Sequence, residues 1–137
     1  MNWTLELVCV PVTDVDRAKA FYADGLGFTV DHDTRISADS RIVQLTPPGS
    51  GCSVCIGNGV VPMPAGSLQG LQLVVSDIYA ARAELVGRGV DVGEVEVYSP
   101  EGLRPARPGD DLDNVAFLHF TDPDGNGWAV QQISSRA

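Results

Sequence analysis

The chain is short of positive charge. Lysine and arginine together number 9 against 18 aspartates and glutamates, for a formal net charge of −9. Nucleic acid and anionic membrane surfaces both reward basic patches, so this balance argues against either as a partner. No apolar run approaches bilayer-spanning length, and no basic-then-apolar signal opens the chain. Cysteine is scarce and odd in number: three in 137 residues, a length that builds a core without staples. A reducing cytoplasm is the economical reading. Low-complexity stretches and charge blocks are absent too.

Several catalytic devices are also missing. Gly49-Ser50-Gly51 and Gly57-Asn58-Gly59 precede neither a Lys-Ser/Thr pair nor a helix start, which excludes a phosphate loop. No Gly-x-Ser-x-Gly elbow occurs, and Ser53 has no visible partner in the sequence. Cys52 and Cys55 imitate half a zinc ribbon. On an extended strand they point to opposite faces about 10 Å apart, and no second pair accompanies them.

What the chain does have is a repeat. Val8, Val10, Val12 and Asp14 recur 63 residues later as Leu71, Leu73, Val75 and Asp77, and Ala18 and Ala20 recur as Ala81 and Ala83. Each copy reads as an alternating strand, a Thr-Asp or Ser-Asp helix start, an alanine-rich helix and a glycine exit. In the first copy a strand over 4–13 leads to a helix capped by Thr13 or Asp14 and ended by Gly25 or Gly27. Strands over 28–33, 41–46 and 52–56 follow. In the second, strand 68–76 and helix 77–88 are followed by strands over 90–97, 115–121 and 128–133. Residues 99–113, with Arg104 and Arg107, read as a long polar loop, and Asp122-Pro123-Asp124-Gly125-Asn126 as a tight turn. The expectation is one domain over 1–137. Module one covers about 3–57, the linker 58–67 and module two about 68–133, with 134–137 as a frayed end. Such duplicated modules create a natural ligand cleft at their seam.

The stretch from Val12 through Thr13-Asp14-Val15-Asp16-Arg17-Ala18-Lys19-Ala20-Phe21-Tyr22 to Leu26-Gly27-Phe28, together with Phe120-Thr121-Asp122-Pro123-Asp124-Gly125-Asn126, resembles the vicinal oxygen chelate superfamily. That group embraces glyoxalase I, bleomycin resistance proteins and extradiol dioxygenases. The resemblance covers nearly the whole chain. It implies an α+β fold in which two βαβββ modules form a curved mixed sheet around a cleft, helices outside, and it implies homodimers. It also implies where metal ligands would stand: Leu7 and Gly70 before the two helix-start aspartates, Ala129 after the DPDG turn, and a position near Cys55. None of these carries an imidazole or a carboxylate, which points away from metal and requires no other cofactor.

Strand parity assigns faces independently of the resemblance. If Val8, Val10, Val12, Leu71, Leu73 and Val75 pack under helices, the cleft receives Cys9, Gln44, Ser53, Cys55, Gln72, His119, Thr121 and Gln131. These are neutral hydrogen-bonding groups on apolar walls, with no carboxylate among them, which suits a neutral or aromatic small molecule. His119 alone offers acid–base chemistry. Whether the protein is an enzyme stays open. The leading reading is metal-independent sequestration of a small molecule, as in antibiotic resistance. The alternative is a metal-free lyase, isomerase or hydrolase with His119 as acid or base and Gln72 or Gln131 holding an oxyanion. A metalloenzyme ranks behind both. A soft site from Cys9, Cys55 and His119 is a minor alternative.

Overall fold

The computed structural model describes residues 1–136, and Ala137 lies outside them. The fold is α+β, with two helices and two mixed sheets among the described residues. The chain divides into two compact units. The first comprises 1–68 and takes the turn 122–126 as well; the second comprises 69–121 and, among the described residues, 127–136.

The first unit holds β1 (Leu7–Cys9), α1 (Val15–Ala20), β2 (Thr29–Ser37), β3 (Ser40–Thr46) and β4 (Ser53–Gly57). Its sheet runs β1-β4-β3-β2, with β1 parallel to β4 and the other neighbours antiparallel. The second holds β5 (Leu71–Val75), α2 (Ile78–Gly87), β6 (Glu96–Ser99), β7 (Gly102–Pro105), β8 (Ala116–Thr121) and β9 (Gly127–Gln132), in the order β5-β9-β8-β6-β7. β5 is again parallel to the last strand of its module, β9. Apart from the extra edge strand β7, the two sheets have the same connectivity, as a duplication requires.

The helix starts follow the chemistry of their caps. The Asp14 carboxylate accepts from the Arg17 N–H at 3.0 Å and the Asp77 carboxylate from the Ala80 N–H at 3.1 Å. α1 runs on into a π-helical turn, Phe21–Gly25, closed by the Leu26 N–H donating to the Phe21 carbonyl at 3.0 Å. Val15, Ala18 and Tyr22 are buried, and α1 packs on β3 and β4, where Val43, Leu45 and Ile56 are fully buried. In the second unit α2 packs on β8 and β9, with Ile78 and Leu85 against the row that holds Leu118 and Val130.

The turn 122–126 holds the densest buried polar cluster. Asp122 and Asn126 are 3% and 0% exposed. Asp122 accepts from the Tyr22 hydroxyl at 2.8 Å, from the Asp124 and Asn126 N–H groups at 2.9 Å each, and from the Asn126 side-chain amide at 2.8 Å. Asn126 also donates to the Pro11 carbonyl at 2.8 Å and accepts from the Leu68 N–H at 3.1 Å. The neighbouring Asp124 takes the Thr13 hydroxyl at 2.6 Å. The helix-start stretch and the Asp122–Asn126 turn, both of which carried the family resemblance, thus meet within the first unit.

Three expectations need correction. Strand 90–97 forms only from Glu96, because residues 90–95 make little ladder pairing and touch β8 through the Gly93 N–H donating to the His119 carbonyl at 3.0 Å. The supposed loop 99–113 contains β7, since Gly102 adopts φ +101° and its carbonyl accepts from the Ser99 hydroxyl at 2.7 Å, closing a tight β6–β7 hairpin. The expected frayed end is partly anchored: the Ser134 N–H donates to Asp113 at 3.0 Å.

Arg104 and Arg107 serve the hairpin itself. Arg104 forms a bidentate pair with Asp110, at 2.9 Å on both oxygens, and the Arg107 N–H donates to Asp110 at 2.7 Å. The guanidinium of Arg104 first, and that N–H second, hold the Asp110 carboxyl at about 2. A folded-state value below the ordinary one means the contribution is present above about pH 4 and is lost as pH falls towards 2. We expect the Arg107 amide resonance to titrate with a midpoint near 2 by NMR, and Asp110→Asn to abolish that step.

Candidate functional site

The residues singled out by parity fall into two sets, one on each sheet. On the first sheet Cys9 stands opposite Cys55 and Cys55 opposite Gln44, while Leu7 stands opposite Ser53. Directly opposed residues share a face, so Cys9, Gln44, Ser53 and Cys55 lie on one face and Val43, Leu45, Val54 and Ile56 on the helix-packed one. Ser53 and Cys55 are each 6% exposed. Burial first, and the nearby Cys9 thiol second, raise the Cys55 thiol above its ordinary value.

Ser53 gains a partner that its sequence position did not reveal. Its hydroxyl lies 2.7 Å from that of Thr46, which in turn donates to Asp31. Thr46 has one proton and gives it to the carboxylate, so Ser53 must be the donor to Thr46. Ser53 is then left with lone pairs only, an acceptor towards any ligand.

On the second sheet Gln72 stands opposite Ala129 and Ala129 opposite His119. Val74, Gln131, Phe117 and Glu96 form the next row, and Thr121 faces Gly127. The amides of this face are oriented by a backbone carbonyl. Gln131 donates through Nε2 to the Asn114 carbonyl at 2.9 Å, which turns its Oε1 to accept from Gln72 Nε2 at 2.7 Å. A carbonyl can only accept, so the order is fixed and Gln72 keeps its own Oε1 as a further acceptor. His119 is about half exposed, with Nδ1 3.9 Å from Glu96 Oε1. That separation is ion-pair range for a protonated ring and too long for a hydrogen bond.

Beside His119 the second unit opens into a pocket of about 610 Å³. Its walls include His119 and Thr121 from the anticipated cleft residues, Gly70 and Ala129 from the family's metal positions, and also Gln69, Asp91, Gly93 and Trp128. Gln72 and Gln131 share the sheet face but do not line this pocket. The expectation of a face free of carboxylates is overturned: Asp31 stands beside the first set, and Glu96 and Asp91 beside the second. The apolar residues of 90–97 change parity between Val92 and Val95, so alternation fixes no single face for Asp91 and Glu96.

A metal of the family's kind does not fit these residues. Leu7, Gly70 and Ala129 have no donor atom, and Cys55 supplies one buried thiol. Mg, Mn, Fe and Ni ions need several oxygen or imidazole ligands. Among the described residues no three His, Cys, Asp or Glu side chains converge. No helix of the described residues is long and apolar enough to cross a membrane.

Comparison with known proteins agrees with the geometry. No curated protein matches the chain. Among solved structures it is similar to TnmS3, an antibiotic binding protein from Streptomyces sp. CB03234, at 32% identity and TM-score 0.74, over 97% of this chain and 98% of that one. It is similar to a glyoxalase/bleomycin resistance protein from the same organism at 32% identity and TM-score 0.70, over 94% and 100%. A superfamily member from Sphaerobacter thermophilus DSM 20745 matches at 25% identity and TM-score 0.73, over 96% and 98%. The model of the Glyoxalase/Bleomycin resistance protein/Dioxygenase superfamily matches residues 4–130, and the chain belongs to that family.

Proposed function

We propose that the protein binds and sequesters a small aromatic molecule without a metal, in the manner of the antibiotic-binding members of its family. The observation that carries this is the pocket at Gly70 and Ala129. Two positions where the family keeps metal ligands carry none here, yet the pocket beside them is large enough for a drug-sized molecule. Among the pocket's lining residues Asp91 offers a carboxylate, which favours a ligand whose edge bears an O–H or N–H donor. The description of TnmS3, 32% identical over nearly the whole chain, as an antibiotic binding protein supports binding of a small molecule. A cytoplasmic homodimer is part of the proposal, and sedimentation velocity tests the dimer.

Trp128 lines the pocket and provides the readout, while Trp3 is 88% exposed and can be silenced as Trp3→Phe. Titrating that variant with bleomycin and a panel of polycyclic aromatic antibiotics is expected to quench Trp128 at micromolar concentration or below. The ligand should be recovered chemically unchanged. An altered ligand would overturn sequestration.

A second reading rests on the proximity of Glu96 to His119. With a carboxylate near its ring, His119 has the makings of a general acid or base. That reading expects turnover that His119→Ala removes while binding survives; turnover persisting in the variant rules it out.

A further inference from the structure

The first sheet carries a pair of thiols that the proposed function does not use. Cys9 and Cys55 face each other directly across the parallel β1–β4 pair, and neither is in a disulfide. Neighbouring strands lie about 4.8 Å apart and side chains stand perpendicular to the sheet, so the two Cβ atoms stay near that spacing. A disulfide needs Cβ atoms about 3.8 Å apart. The strands would have to pinch by about 1 Å to form one, at the Cys9 end of the β1–β4 ladder, where Cys55 is also held by its pairing with Gln44 on β3. An ion bridging two sulfurs, with bonds of about 2.3 Å each, spans up to about 4.6 Å and fits the strands where they are.

We propose that Cys9 and Cys55 form a two-coordinate site for a soft, thiophilic monovalent cation of the Cu(I) type. Thiolates select such ions over hard ones. The register neighbours of the pair are Leu7, Ser53 and Gln44, which offer a hard divalent ion no charge. Each thiol releases its proton to solvent, two sulfur–metal bonds form, and the bis-thiolate complex carries one negative charge. No electron is transferred. Cys9 is half-buried and gives the ion its way in, while Cys55 is buried. Gln44, opposite Cys55 on β3, supplies an amide N–H to the anionic sulfur. His119 has no part in this site, which distinguishes it from the three-ligand arrangement considered from the sequence.

The test is an anaerobic titration of the reduced protein with Cu(I) against a colorimetric Cu(I) chelator, with Ag(I) as a redox-inert substitute. One equivalent per chain should be withheld from the chelator. Cys9→Ser and Cys55→Ser should each lose that equivalent, Cys52→Ser should keep it, and Gln44→Leu should weaken binding about tenfold. In the unaltered protein, Cu(I) should also protect Cys9 from alkylation by iodoacetamide, a readout that needs no variant to fold. Failure to withhold an equivalent, or its equal loss in Cys52→Ser, overturns the site. Quantitative formation of a Cys9–Cys55 disulfide under mild oxidation contradicts the spacing argument.

Discussion

Asp122→Ala is expected to destabilise the protein by about 3–5 kcal/mol, through several orphaned donors rather than one lost bond. The carboxylate collects the Tyr22 hydroxyl, the Asn126 side-chain amide and two backbone N–H groups, and Tyr22 and Asn126 are both fully buried. Alanine leaves these donors without an acceptor where water does not reach, at roughly 1–3 kcal/mol per unsatisfied group. Domain stabilities are about 5–15 kcal/mol, so the variant should sit close to unfolding. Tyr22→Phe removes one donor and leaves the others paired, so its cost should be near 1 kcal/mol. Urea denaturation measures both, and an Asp122→Ala midpoint within about 1 kcal/mol of the parent would remove the turn from its central place.

Gly66→Ala should be comparably damaging, for a reason independent of hydrogen-bond number. Gly66 adopts φ +80°, and a Cβ there would lie 2.0 Å from the backbone carbonyl oxygen of Asp124. That contact is with main chain, which cannot swing aside, so the turn holding Asp122 and Asn126 has to move. We expect a loss of about 3 kcal/mol or more, with strain and displaced hydrogen bonds combined. Gly49→Ala is the matched control: its φ is +83°, but nothing lies within 4 Å of the added carbon. It should cost about 1 kcal/mol, the left-handed backbone penalty alone. Equal effects of the two substitutions would mean that backbone conformation, and not the close approach to the turn, explains Gly66.

The legible parts of this chain were those set by short-range rules. Asp14 and Asp77 cap their helices as their spacing predicts, and strand parity sorts Leu118 from His119 because one face must be apolar. The duplication was readable for the same reason, since each copy repeats local chemistry. Long-range partners were not. Nothing adjacent to Ser53 announces Asp31, because a register shift after Val30 brings that carboxylate to Thr46. Glu96 reaches His119 only because β6 pairs with β8, a pairing between segments about twenty residues apart whose register no local signal sets. The metal positions were judged from donor chemistry alone, since Leu7, Gly70 and Ala129 lack a ligating atom in any fold.

The proposed function stands on ligand binding that needs no metal, and one titration tests it directly. Trp128 fluorescence of Trp3→Phe is followed against the tightest ligand of the antibiotic panel, before and after exhaustive dialysis with EDTA. The same dissociation constant in both preparations, with the ligand recovered unchanged, is the predicted result. Binding or turnover that disappears on chelation and returns with a divalent cation would contradict it.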